Sequence, residues 1–149
     1  MTATSHAVIG TVIAAKIGNP ALAIPIAIAS HVVADLFPHW DSGTNKNKKS
    51  NKRFLYESIV DVFLSGVVAI FLLTFVFTNT NIFYAGLIIF CAQLPDWLHS
   101  FYVYLHWKFP PFTWFVAFSK ATNNKLDKPW GIIFQAWAVL LILGFGIVL

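Results

Sequence analysis

Apolar runs separated by short polar breaks give this chain its framework. The first run extends from about His6 to Ile17 and ends at Gly18-Asn19-Pro20, a turn sequence. The second extends from about Ala21 to Phe37 and stops at Pro38; a polar loop from Asp41 to Lys52 follows. The third runs from about Ser58 to Phe77, and Thr78-Asn79-Thr80-Asn81 forms an uncharged turn behind it. The fourth covers Ile82 to His106 and the fifth Pro129 to Leu149. A membrane-crossing helix needs ~20 predominantly apolar residues, which runs three, four and five supply. Run one is too short to cross alone. It is expected either to pair with run two as a re-entrant hairpin, covered by protein because irregular backbone is not tolerated against lipid, or to form with it two short helices that thin the bilayer. The predicted fold is therefore all-α: one integral membrane domain over residues 1–149, a bundle of four to five transmembrane segments with a short or re-entrant first hairpin.

Composition strengthens this picture. Of 149 residues, 58% are hydrophobic and only 11% are charged, against roughly 25% charged in an ordinary soluble domain. A soluble domain this small could not bury so much apolar side chain. Trp40, Trp107, Trp114 and Trp130 flank the runs, as an aromatic belt at the membrane interface does. The aromatic stretch Trp107 to Phe115 is expected in the headgroup region. Cys91 is the single cysteine, which excludes an intrachain disulfide and a cysteine metal cage.

Charge distribution sets the expected orientation. Lys46, Lys48, Lys49, Lys52 and Arg53 share one loop, and Lys108, Lys120, Lys125 and Lys128 form a looser group between runs four and five. Basic loops stay cytoplasmic. Both loops then lie inside, the N-terminus is cytoplasmic, and the C-terminus is outside, in a bacterial or archaeal cytoplasmic membrane. No basic stretch precedes the first run, so no cleaved signal peptide is expected. Nucleic-acid binding by the lysine loop is not expected either, because no base-reading helix or stacking platform accompanies it.

The ionisable residues within the apolar runs carry the candidate chemistry. A charge inside a membrane helix costs about 2.5–3.5 kcal/mol on insertion scales, so it needs a partner or a function. His31 and Asp35 are four apart, Glu57 and Asp61 four apart, Asp96 and His99 three apart; each pair shares a helix face. His6 opens the first run, and His39 and Asp41 follow Pro38. On the lysine-derived topology all of them fall on the cytoplasmic side at similar depth. Imidazole with carboxylate suits a divalent metal such as Zn²⁺, Mn²⁺ or Fe²⁺, and helical pairs at these spacings build such sites in bundle cores. The expected ligands are His6, His31, Asp35, His39, Asp41, Asp96 and His99, with Zn or Mn as the metal. Asp61 or Glu57 is the expected general base. Alternatively, His31–Asp35 is a buried ion pair locking two helices, Asp96 caps a helix that restarts after Pro95, and Glu57 and Asp61 are first-turn acids.

Three stretches also carry a resemblance. Ser5-His6-Ala7-Val8-Ile9-Gly10, His31-Val32-Val33-Ala34-Asp35 and Leu94-Pro95-Asp96-Trp97-Leu98-His99 resemble motifs of a family of small membrane-bound hydrolases inferred to be metal-dependent. The family pattern has a second Asp where this chain has Leu98, places its His-x-x-x-Asp pair after the Leu-Pro-Asp motif rather than before it, and includes a His-Arg-Gly stretch with no counterpart here. The resemblance implies a metallohydrolase acting on a lipid or phosphoester, with roles for His6, His31, Asp35, Asp96 and His99. Two other functions remain open on the sequence: a proton or ion path, disfavoured because the outer half holds almost no polar residue, and a non-catalytic membrane scaffold with a structural polar cluster.

Overall fold

The computed structural model describes residues 1–148. Among these the protein is 75% helical, with no strand. Six helices follow one another: α1 (Ala3–Lys16), α2 (Pro20–Asp35), α3 (Asn51–Phe75), α4 (Ile82–Tyr104), α5 (Phe112–Thr122) and α6 (Trp130–Val148). The expected end of the last apolar run, Leu149, lies outside the described residues.

Polar residues at the run boundaries start the helices. The Thr2 hydroxyl accepts from Ser5 N, the Ser50 hydroxyl from Arg53 N, and the Asn81 amide oxygen from Phe83 N and Tyr84 N. Asn19 caps α2, whose first residue is Pro20, where a missing N–H costs nothing. Capping explains a difference from the hydropathy pattern: α3 begins at Asn51, well before the apolar residues of its run, because Ser50 nucleates a polar first turn. Glu57 and Asp61 consequently lie beyond that first turn. α4 runs unbroken through Pro95, so Asp96 is not the cap of a restarted helix. α5 is a helix that the apolar pattern did not predict, formed within and after the aromatic stretch.

The bundle buries small apolar residues together with several polar ones and presents large apolar side chains outward. α1 packs against α2, α3, α4 and α6. Its neighbours come close because the contacts are made by small residues such as Ala7, Ala23, Ala27, Ala85 and Ala92, all fully buried. At Gly10 an added Cβ would sit 2.9 Å from the Ile89 Cα and 3.1 Å from the Ala92 Cβ, so only glycine permits this α1–α4 approach. His6, Thr11 and Gln93 are buried, while Phe63, Phe75, Phe83 and Phe145 point outward and are mostly exposed. This inverts the arrangement of a water-soluble protein. Three helices, α3, α4 and α6, are long and apolar enough to cross a membrane. α1 and α2, with 14 and 16 residues, extend about 21 and 24 Å and fall short of the ~30 Å hydrocarbon thickness.

Gln93 ties three helices together, donating from Nε2 to the Ala3 carbonyl (3.0 Å) and the Ser65 hydroxyl (3.2 Å). Gln93→Leu should lower unfolding stability by ~1–2 kcal/mol, the range for interhelical hydrogen bonds in membranes. Denaturation in detergent against a Gln135→Leu control checks it.

Candidate metal centre

One end of the bundle collects the start of α1, the end of α2, the loop after it, the Pro95 turn of α4 and the α5–α6 linker. Each contributes a polar side chain through a definable local cause. His6 lies in the first turn of α1, whose start is anchored by Asp61: its carboxylate accepts from Ala3 N (2.7 Å), Thr4 N (3.1 Å) and the Thr4 hydroxyl (2.8 Å). His31 and Asp35 occupy one face of α2. Pro95 lacks the N–H that would bond the carbonyl four residues back, and its ring crowds that turn. The nearby Ala92 carbonyl lies 2.8 Å from His31 Nδ1. His39 is held by a backbone bridge between the loop and the linker: His39 N donates to Asn124 O (3.1 Å), and Leu126 N donates to His39 O (2.7 Å).

Asp35 is the hub. Its Oδ1 lies 3.3 Å from His6 Nε2 and 3.7 Å from His39 Nε2, and its Oδ2 lies 3.5 Å from His31 Nε2. His31 Nε2 is also 3.6 Å from Asp96 Oδ1. The His6 and His31 rings stack in parallel, with centroids 3.7 Å apart. The Asn123 amide donates to Asp35 Oδ2 (3.2 Å), and the Met1 amino group bonds Asp35 Oδ1.

The donor–acceptor balance determines what this cluster can bind. A backbone carbonyl accepts only from a protonated nitrogen. The contacts of His31 Nδ1 with Ala92 O and of His39 Nδ1 with Phe37 O (2.7 Å) therefore place a proton on each Nδ1. In the neutral ring, each Nε2 then presents a lone pair. Burial, and then the positive Met1 amino group, hold His39 below its usual imidazole range, which favours that neutral form. The His39 lone pair faces an Asp35 carboxylate oxygen, which is also an acceptor. His6 Nδ1 and Nε2 and His39 Nε2 are buried and have no hydrogen-bond partner among the described residues.

The spacings agree with this balance. Separations of 3.3–3.7 Å exceed the 2.7–3.2 Å of a good N–H···O bond. Two donors each ~2.0–2.1 Å from one tetrahedral zinc would lie roughly 3.3 Å apart. His6, His31 and Asp96 offer ligand atoms all within 4.8 Å of one another, a group that can hold a metal ion. His6, His31 and Asp96 are therefore placed so that they could hold a divalent cation.

The remaining candidates sit around this cluster. Asp96, His99, Asp41 and Asp61 line a polar cleft of about 130 Å³ beside it, together with Ser58 and Tyr104. Asp41 pairs with Lys125 (2.8 Å) and accepts from the Thr44 hydroxyl (2.9 Å). Burial raises its pKa, but Lys125 and Thr44 pull it further down, so the carboxyl stays below its usual range. The pair is thus charged at neutral pH; its contribution is lost only as acid takes the pH down through that lowered value. Asp61 is engaged at the start of α1. Glu57 is bonded to Lys49 (2.6 Å) and Arg53 (3.0 Å), away from the histidines. Asn123 was not singled out from the sequence: an asparagine in a polar linker carries no mark of its partner until α5 and the linker fold back onto α2.

The chain matches no family model, no curated protein and no solved structure.

Proposed function

We propose that this protein is an integral membrane, metal-dependent hydrolase that acts on a phosphoester, with its centre facing the cytoplasm. The carrying observation is the convergence of three histidines on Asp35, with Asp96 beside His31, two Nδ1 atoms committed to backbone carbonyls, and buried nitrogens of His6 and His39 left without a hydrogen-bond partner among the described residues. His6, His31, His39, Asp35 and Asp96 would hold the ion, with Zn²⁺ or Mn²⁺ favoured by the mixed imidazole–carboxylate set. Bound there, such a metal supplies a water acidified toward neutrality and Lewis-acid stabilisation of the ester oxygens.

The chain's own residues supply the rest. Ala92 and Phe37 carbonyls orient His31 and His39, as outer partners of metal-bound histidines do. Asp96, with its side chain 46% exposed, is the member of the cluster open to the cleft. His99, one turn further along α4 and lining the same cleft, is assigned to proton transfer: as water's oxygen bonds phosphorus and the P–O bond to the alkoxide breaks, His99 takes a proton from that water and passes one to the departing alkoxide. In this reading Asp61 anchors α1 and Glu57 stays in its lysine–arginine pairs, so neither serves as base. Lysines in both loops support the cytoplasmic orientation, and α1 with α2 forms a short hairpin entering from that side. The three stretches that resemble motifs of small membrane-bound hydrolases are consistent with this reading.

A structural role has one contact in its favour. The Met1 amino group bonds Asp35, and a cation there could neutralise the carboxylate within a helix-locking polar cluster. The two readings separate on turnover. Metal-dependent hydrolysis of an aryl phosphoester by the purified protein, abolished by chelator and restored by Zn²⁺ or Mn²⁺, is the expected result. His99→Gln should retain metal and lose ~10²–10⁴-fold in turnover, the usual contribution of a positioned acid or base. Folded, metal-loaded wild type without turnover on any ester would leave the structural role.

A further inference from the structure

The cluster has a second approach, of opposite character to the polar cleft. Between α2, α4 and α5 lies an apolar chamber of about 360 Å³. It falls within the roughly 300–1,000 Å³ of small-molecule sites. Ile28, Val32, Pro95, Trp114, Phe115 and Phe118 form most of its wall, and the cluster's own His31 and Asp35 reach its surface. Cleft and chamber therefore meet the same metal-ligating group from two sides, through Asp96 on one and His31 and Asp35 on the other.

We infer that this chamber holds a single hydrocarbon chain of a lipid phosphoester, with the headgroup lying across the His31–Asp96 cluster towards the cleft. This rests on the hydrolase reading, since it names the substrate class of the same site. A soluble phosphoester has no use for an apolar chamber opening onto its reaction centre. An amphiphile needs that junction, because its ester lies where the chain ends and the polar headgroup begins. The chamber also lies where lipid is at hand. Trp114 and Phe118 of α5 are 69% and 51% exposed beside it, as aromatic residues at headgroup level are. Lys120 lies in the last turn of α5, a cation suited to an anionic headgroup. A second apolar cavity of about 290 Å³, between α2 and α6, is lined by Ile9, Val33, Phe37, Ile142 and Phe145 and does not include the cluster histidines. It provides an internal control for ordinary lipid contact.

The experiment is photolabelling of the full chain in phosphatidylglycerol vesicles containing a phosphatidic acid with a diazirine on one acyl chain, mapped by mass spectrometry. Labels are expected on Val32, Phe115 and Phe118. Ser119→Trp, which fills the chamber from α5, should remove them while leaving labels in the α2–α6 cavity; Val32→Trp fills it from the opposite wall and should remove the Phe115 and Phe118 labels. In Ser119→Trp, cleavage of the long-chain lipid should fall at least tenfold more than turnover of a soluble aryl phosphoester does. Wild-type labelling confined to the outer faces of α3 and α6, or chamber labels unchanged in both filled variants that fold, would overturn the inference. Because labelling needs no turnover, a protein without metal or hydrolysis but with chamber labels would sink the hydrolase reading and leave the chain site standing.

Discussion

Asp35→Asn should bind metal roughly 10²–10³-fold more weakly than the wild type and lose hydrolysis with it. The substitution keeps size and shape, so packing around the end of α2 survives. Only the charge at the hub goes, together with one of the two oxygens that face His6, His39 and His31 at 3.3, 3.7 and 3.5 Å. Removing one partner from a buried charged pair costs about 3–5 kcal/mol, and each 1.4 kcal/mol is tenfold in affinity. Asp127→Asn, at an exposed acid in the linker, is the control and should change nothing. Calorimetric titration with Zn²⁺ or Mn²⁺ beside a circular-dichroism check of helix content separates lost binding from lost folding. Wild-type affinity in a folded Asp35→Asn variant would remove Asp35 from the ligand set.

The second large effect is expected at a position with no polar atom in its side chain. Gly10→Ala should destabilise the protein by ~1–3 kcal/mol, the usual cost of forcing atoms into a packed core, and weaken metal binding as well. The new Cβ would meet the Ile89 Cα at 2.9 Å and the Ala92 Cβ at 3.1 Å, neither of which can rotate away. α1 must therefore move off α4. His6 lies one turn before Gly10 on α1, and the carbonyl of Ala92 fixes His31. The same shift therefore separates the stacked rings from each other and from Asp35. Gly86→Ala, on α4 with open space around it, should have the opposite sign, gaining roughly 0.5–1 kcal/mol as glycine leaves a helix interior. Thermal melts of both variants in one detergent test the pair. Equal effects at the two glycines would refute the close-packing account.

Much of the helix layout was legible in the sequence because membrane-length apolar runs and their polar breaks are local features. Runs three, four and five correspond to α3, α4 and α6. The boundaries were less legible where a cap decides them: Ser50 starts α3 within residues that hydropathy counts as loop. α5 escaped because it begins inside the aromatic stretch, directly after Pro110-Pro111, and its 11 residues are too few to register as a membrane-length run. Within the candidate centre, His31 with Asp35 and Asp96 stood out as ionisable residues in apolar surroundings, and the structure brings them together with His6 and His39. The central position of Asp35 was not legible, since it depends on α1 and the loop closing around the end of α2. Nor were the uses of Asp61 and Glu57. Spacing places them on one helix face, and Arg53 four residues before Glu57 is a local helical pair, but only the folded chain commits Asp61 to the start of α1 and brings Lys49 onto Glu57.

The central claim is that the His/Asp cluster is a metal site, and elemental analysis of the detergent-purified protein tests it most directly. Wild type and the His31→Ala/Asp96→Ala double variant should be compared after identical purification and after incubation with Zn²⁺ or Mn²⁺ followed by desalting. Near-stoichiometric metal in the wild type, lost in a double variant that remains helical, is the predicted result. Wild-type protein that stays metal-free after incubation, or a double variant that keeps the wild-type content, would contradict it.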